Sequence, residues 1–211
     1  QILNVYSKEL HAEEYKASYF FRTFSEMPKQ EQKALNMCFG KVLDVGAGAG
    51  CHSLWLKENG FDVDAIDTSN GAVETMVARG ISNATCQFVE KHEGKYDTVL
   101  MLMNGIGLAG KLKNLSVFLN QLKGLLKPND QILTDSSDIF HLFESIDSDQ
   151  MLEFEKDYLG EVEFQFSYKK ERGPWFNWLY LDERTFREYA EKSGFHFEVI
   201  WSKKNAGYLT R

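Results

Sequence analysis

Val42-Leu43-Asp44-Val45-Gly46-Ala47-Gly48-Ala49-Gly50 is the stretch on which the fold turns. Its first half is apolar apart from Asp44, so residues 41–45 read as a short buried strand. Its second half has glycine at every other position, and a helix over residues 52–59 follows at once, with Leu54, Trp55 and Leu56 apolar and Gly60 as its stop. Glycines let the chain turn tightly and let a ligand touch the backbone. The start of the helix offers free N–H groups and a partial positive charge, which suit an anionic group such as a carboxylate. Asp67, 23 residues after Asp44, closes the next strand over residues 61–67. A carboxylate there can accept hydrogen bonds from two ribose hydroxyls.

Strands and helices alternate outward from this loop. Ser69 or Asn70 caps a helix with Ala72, Val73, Met76 and Val77 on one face, ended by Gly80. Residues 85–89 read as a strand. Residues 96–103, YDTVLMLM, are nearly all apolar, as in a central parallel strand covered on both faces. Leu115, Phe118, Leu119, Leu122, Leu125 and Leu126 fall at helical spacing before Pro128, and residues 131–135 form a fifth strand. This alternation implies βαβ crossovers and a parallel sheet. On the N-terminal side, residues 7–24 and a segment from Pro28 to Cys38 read as helices, so residues 1–40 are expected to be a helical segment. After Phe140 the pattern changes. Residues 160–170 and 175–181 read as strands joined by a turn at Glu171-Arg172-Gly173-Pro174, an insertion spanning 150–182. A helix over 183–193 and a closing antiparallel pair, 195–201 with 206–211, complete one domain over 1–211.

A dinucleotide fingerprint, G-x-G-x-x-G, would put glycine at position 51, which is Cys51. The loop runs G-x-G-x-G instead, with Asp44 two residues ahead. It resembles motif I of class I S-adenosylmethionine (SAM)-dependent methyltransferases, (E/D)-x-G-x-G-x-G. The segment 125–133, LLKPNDQIL, is similar to that family's LLKPGG segment, with Asn129-Asp130 in place of the glycines. The closing pair looks like the family's reversed last strand. The resemblance implies an α/β fold: a Rossmann-like, seven-stranded, mostly parallel sheet with a reversed last strand and helices on both faces, here carrying an inserted antiparallel β-hairpin. It also implies a cofactor site in which Asp44, Gly46, Ala47, Gly48 and Gly50 wrap the methionine half of SAM. Asp67 and Thr68 would hold the ribose, and Asn104 would face the reactive methyl. The family's adenine-binding pair after the third strand has no counterpart in Phe88-Val89-Glu90-Lys91-His92, where Glu90 is the best match.

The resemblance implies methyl transfer to an O, N or C atom, leaving S-adenosyl-L-homocysteine (SAH). A SAM-binding protein without chemistry and a NAD-dependent oxidoreductase are the alternatives. Asn104 and Asp135 end the fourth and fifth strands and are the candidate catalytic residues, against capping or turn roles. Asn104 lacks the Pro-Pro-Tyr that follows it in enzymes acting on DNA or glutamine amino groups. His52, His11 and His141 could move protons or simply pack. The aromatics Phe154, Tyr158, Phe164, Phe166, Tyr168, Trp175, Phe176, Trp178 and Tyr180 make either added core or a lid over the acceptor. In the lid reading Tyr15, Tyr19, Phe20 and Arg22 join it, and Trp175 or Trp178 touches substrate.

Composition narrows the partners. There are 24 basic and 31 acidic side chains, a net charge of −7. That disfavours a nucleic-acid backbone, which needs clustered Lys and Arg, and leaves a small molecule as the expected acceptor. Three cysteines, Cys38, Cys51 and Cys86, form no metal or disulfide pattern, so no metal is expected and a cytoplasmic location is. No apolar run reaches the length of a membrane span.

Overall fold

The computed structural model describes residues 1–143, 157–204 and 207–211. In chain order the elements are β1 (Ile2–Ser7), β2 (Glu13–Lys16), α1 (Lys29–Met37), β3 (Lys41–Val45), α2 (Cys51–Glu58), β4 (Asp62–Asp67), α3 (Asn70–Ala78) and β5 (Ala84–Cys86). Then come β6 (Tyr96–Met101), α4 (Leu115–Leu125), β7 (Leu126–Ser136), β8 (Glu161–Tyr168), β9 (Glu171–Leu179), α5 (Glu183–Lys192), β10 (Val199–Lys203) and β11 (Gly207–Thr210). Among the described residues the strands form two sheets, one of seven in the order β10-β11-β7-β6-β3-β4-β5 and one of four in the order β2-β1-β8-β9.

The larger sheet is the expected one. β3 pairs in parallel with β4 and β6, β4 with β5, and β6 with β7, while β11 runs antiparallel to both β7 and β10. Successive side chains of a strand point to opposite faces, and the core divides accordingly. Leu43, Val45, Val99 and Met101 pack with α4 and α5 through Leu119, Leu122 and Phe186. Val42, Leu100 and Leu133 pack on the other face with Leu35 of α1 and Leu56 of α2. Residues buried on both faces explain why β3 and β6 read as nearly continuous apolar runs.

The N-terminal segment differs from its reading. Residues 2–16 form a hairpin of strands, and residues 17–26 make two 3-10 turns, Ala17–Phe21 and Phe24–Glu26, so within 1–40 only α1 is α-helical. The partner decides this. β1 pairs antiparallel with β8, Val5 opposite Phe166, and a strand in that slot satisfies a whole ladder of backbone groups that local propensity does not foresee.

The inserted hairpin is present over Glu161–Leu179, but its turn is not at 171–174. The chain reverses at Lys169-Lys170, with Lys169 in the left-handed region (φ 55°), and β9 runs through Gly173 and Pro174. Proline is tolerated because β9 is an edge strand. Phe154 and the rest of 150–156 lie outside the described residues, as does Ala206. β5 is shorter than expected, since Val89–Lys91 turns into a 3-10 helix.

Candidate functional site

Gly46, Gly48 and Gly50 all have left-handed backbone, with φ of 72°, 58° and 76°. Alternate residues in that region demand glycine. Gly46 N and Ala47 N both donate to Ile66 O, at 2.9 and 3.1 Å, which ties the loop to the end of β4. Gly50 is also sterically required: a Cβ there would lie 2.6 Å from Ile81 Cδ1 and 2.8 Å from Met76 Cγ. Gly48 is the opposite case, because a Cβ there would meet nothing within 4 Å. Its amide donates to Asp67 Oδ2 at 2.8 Å, and Asp67 Oδ1 accepts from Ser69 N at 2.9 Å. Asp67 is thus fixed against the loop, at the carboxyl ends of the strands where open α/β sheets take ligands.

The remaining residues assigned to the cofactor divide. Asp44 is 1% exposed and accepts from Ser53 Oγ at 2.6 Å. Burial pushes its carboxyl up, against the opposing field of His52. Through Ser53 it braces the first turn of α2. Thr68 and Glu90 are exposed, Thr68 just beyond β4 and Glu90 on the Val89–Lys91 turn. Beside Glu90, Phe88 leaves 59% of its surface open just beyond β5. It offers a flat apolar surface, and an aromatic in the turn after the third strand is its signal in the sequence.

At the other end of the crevice, Met103 and Asn104 both have positive φ, 63° and 58°. Two successive non-glycine residues in that region persist only where their surroundings hold them. Asn104 N donates to Asp135 Oδ1 at 2.8 Å, Asn104 Nδ2 donates to Leu179 O at 3.0 Å, and Asn104 Oδ1 accepts from Ser136 Oγ at 2.9 Å. The Asn104 side chain, 8% exposed, therefore joins the ends of β6, β7 and β9. Asp135 also takes a hydrogen bond from its own backbone N–H. Burial pushes its carboxyl up to about 7, despite the Asn104 N–H. Tyr19 and Tyr180 both lie within range of its charge.

His52 is not poised for proton transfer. It is 4% exposed with Nε2 on Glu31 Oε2 at 2.8 Å, and Arg22 Nη2 donates to the same oxygen at 2.5 Å. Burial pulls the imidazole down, but its Cys51 and Glu31 partners outweigh this and hold it at about 10. Arg22 also lies over the Tyr19 ring, 4.4 Å from its centroid. His11 and His141 are exposed.

The comparisons with known proteins agree with this geometry. Residues 11–198 match the family model described as a methyltransferase domain. A SAM-dependent methyltransferase from Bacteroides fragilis, crystallised with SAH, is 42% identical, with a TM-score of 0.90 over 100% of this chain and 86% of that one. The chain belongs to the SAM-dependent methyltransferases. No curated protein matches it. More distant solved structures share the fold alone. A SAM-dependent methyltransferase from Clostridium acetobutylicum is 14% identical (TM-score 0.61, over 89% of this chain and 93% of that one). A sugar N-methyltransferase from Streptoalloteichus is 10% identical (TM-score 0.61, over 93% and 92%).

The methyltransferase's cofactor is SAM, and the residues present fit it. Space is open at Gly48, a carboxylate stands at Asp67, and donors gather at the start of α2. The oxidoreductase alternative falls with the family. No group of His, Cys, Asp and Glu among the described residues could hold a metal ion, and no described helix is long and apolar enough to cross a membrane.

The four-stranded sheet packs through β9 against the turn that follows β6. Strand register sorts its side chains. Leu3 faces Tyr15, Val5 faces Phe166, Phe164 faces Phe176 and Val162 faces Trp178, so these share one face. That face packs on the main sheet's carboxyl edge: Val162 clusters with Ile139 and Phe143, and the Trp178 indole leaves no room for a side chain at Gly107. Trp175 is three residues from Trp178 and points to the opposite face, 41% exposed under Lys8. Of the two tryptophans named as substrate contacts, Trp178 thus lies on the packed face and Trp175 on the open one. Tyr15 donates to Glu13 Oε2 at 2.6 Å and, with Tyr19 and Phe20, forms an aromatic group with centroids 5.8 to 6.4 Å apart.

Proposed function

We propose that this methyltransferase methylates an O, N or C nucleophile of a small molecule held between the carboxyl ends of β6 and β7 and the aromatic face of the four-stranded sheet. One observation carries the reading: at the strand edge beneath that face the Asp135 carboxylate is held by Asn104 N at 2.8 Å and is pushed by burial up to about 7. The backbone of Gly46, Ala47, Gly48 and Gly50 takes the methionine half of the cofactor, Asp67 and Thr68 take the ribose, and Glu90 takes the adenine amine with Phe88 beside it. Asn104 positions Asp135. Tyr15, Tyr19 and Trp178 wall the acceptor.

SAM supplies a methyl carbon already activated by its sulfonium. The protein's work is then orientation, exclusion of water and, for an acceptor that must lose a proton, a base. Asp135 takes that proton, and its position near neutrality lets it accept and release protons at physiological pH. A net charge of −7 and an aromatic wall favour a small molecule over nucleic acid. Free cysteines at 38, 51 and 86 favour the cytoplasm. SAH release from SAM, measured across a panel of small hydroxyl, amine and acidic-carbon compounds, tests the reading. Turnover with at least one of them, lost in Asp135→Asn, is the expected result. SAH affinity without turnover on any compound would leave a silent binder.

A further inference from the structure

The segment between β2 and α1 straddles the glycine loop. On one side Phe21 lies 5.2 Å from the Arg79 guanidinium, and Arg79 Nη1 donates to Ala49 O within the loop. On the other side Arg22 reaches Glu31, which holds His52, the second residue of α2. The side chains of residues 21 and 22 are thus pinned on either side of the methionine end of the site.

Arg22 is 5% exposed, and its Nε is buried without a hydrogen-bond partner among the described residues. A buried guanidinium nitrogen with nothing to donate to is unfavourable. The charges around it are also unbalanced. Arg22 and His52 share one carboxylate, Glu31, which both of them hold in its charged form. The two further acids in reach of His52, Asp44 and Asp135, are both pushed by burial towards the neutral form. The remaining neighbours of Arg22 are Tyr19 and Cys51. Two cations that share one buried carboxylate, one of them with an unpartnered N–H, leave room for a second anion. The start of α2 beside it offers backbone N–H groups to the same anion.

SAM carries a single negative group, the carboxylate of its methionine half. We infer that Arg22 anchors this carboxylate through its unpartnered Nε, with the first turn of α2, so that the segment between β2 and α1 is part of the cofactor site. The inference rests on the reading that the glycine loop holds SAM, and the test separates the two.

SAH and 5′-methylthioadenosine share the nucleoside thioether, but only SAH has the amino-acid carboxylate. Their affinities for the unaltered protein, Arg22→Met and Arg22→Lys are compared by calorimetry. The unaltered protein should prefer SAH by about 10- to 100-fold, the worth of a charge-assisted hydrogen bond. Arg22→Met should lose most of that preference while binding 5′-methylthioadenosine within about twofold of the original, which also shows that the site is still folded. Arg22→Lys, which keeps the charge and the bulk but not the fork, should lose part of it. Equal weakening of both ligands, or unchanged SAH affinity in Arg22→Met, overturns the assignment while 5′-methylthioadenosine binding keeps the cofactor reading standing. Failure of the unaltered protein to bind either ligand overturns both.

Discussion

A methyl group added at Gly48 and one added at Gly50 should do different damage. At Gly50 the new Cβ runs into Ile81 and Met76 as well as adopting a φ of 76°, so Gly50→Ala should lose about 1–3 kcal/mol in a denaturant titration. At Gly48 the Cβ meets no protein atom, and the φ of 58° alone costs about 1–2 kcal/mol. Gly48→Ala should fold, yet bind SAH much more weakly because the methyl group fills ligand space. Retained SAH affinity by calorimetry would show that the open space at Gly48 is not the cofactor's. Asp135→Asn should lower turnover by about 10²- to 10⁴-fold with SAH affinity unchanged. In the unaltered enzyme the rate should climb as pH rises through about 7, since the base works deprotonated. Stability should move the other way. The folded state raises this carboxyl from 3.8 to about 7, so ionised Asp135 opposes folding, not at all below pH 4 and fully above pH 7. Asp135→Asn should therefore gain about 1–3 kcal/mol at pH 8 and nothing at pH 4. At this scale the loop glycines and Asp67 were legible because their meaning lies in spacing along the chain. Asn104 and Arg22 could be named as candidates, but not their partners Asp135, Ser136, Leu179 and Glu31, which lie 9 to 75 residues away.

β9 carries the contrast between two tryptophans. Trp178 lies against Gly107 on the packed face and Trp175 lies under Lys8 on the open one. Trp178→Ala should destabilise the protein by about 3 kcal/mol or more and raise KM for the acceptor, while Trp175→Ala should stay within about 0.5 kcal/mol with unchanged kinetics. Thermal melts and acceptor titrations of the pair check this. The central strands β3 and β6 could be read because burial on both faces leaves an apolar run in one short window. The hairpin of β1 and β2 could not, since residues 13–16, Glu-Glu-Tyr-Lys, carry no strand pattern of their own and extend only against β1. The turn at Lys169-Lys170 was hidden by Gly173-Pro174, which imitates a turn but sits on a strand edge where proline does no harm.

Taken whole, the molecule sets a cofactor-binding sheet beneath an aromatic sheet, and the two should respond separately to perturbation. SAH at a hundred times its dissociation constant should stabilise the protein by about 2.7 kcal/mol, read as a higher melting temperature, and NAD should leave it unchanged. Val5→Asp puts a charge on the aromatic face, opposite Phe166, and should loosen the four-stranded sheet. It should abolish methylation while leaving SAH affinity near normal. A parallel loss of SAH binding would mean that the two sheets do not act separately. The pairing of β1 with β8 also has a consequence in time. Val5 and Phe166 are 161 positions apart, and a ribosome adds roughly 5–20 residues per second, so β1 waits some 8 to 30 seconds for its partner. During that interval β3 to β6 emerge complete. The nascent chain owns the strands of its SAM crevice before it owns the sheet that stands over them, and β1 spends the delay as a sticky edge unmatched by β8.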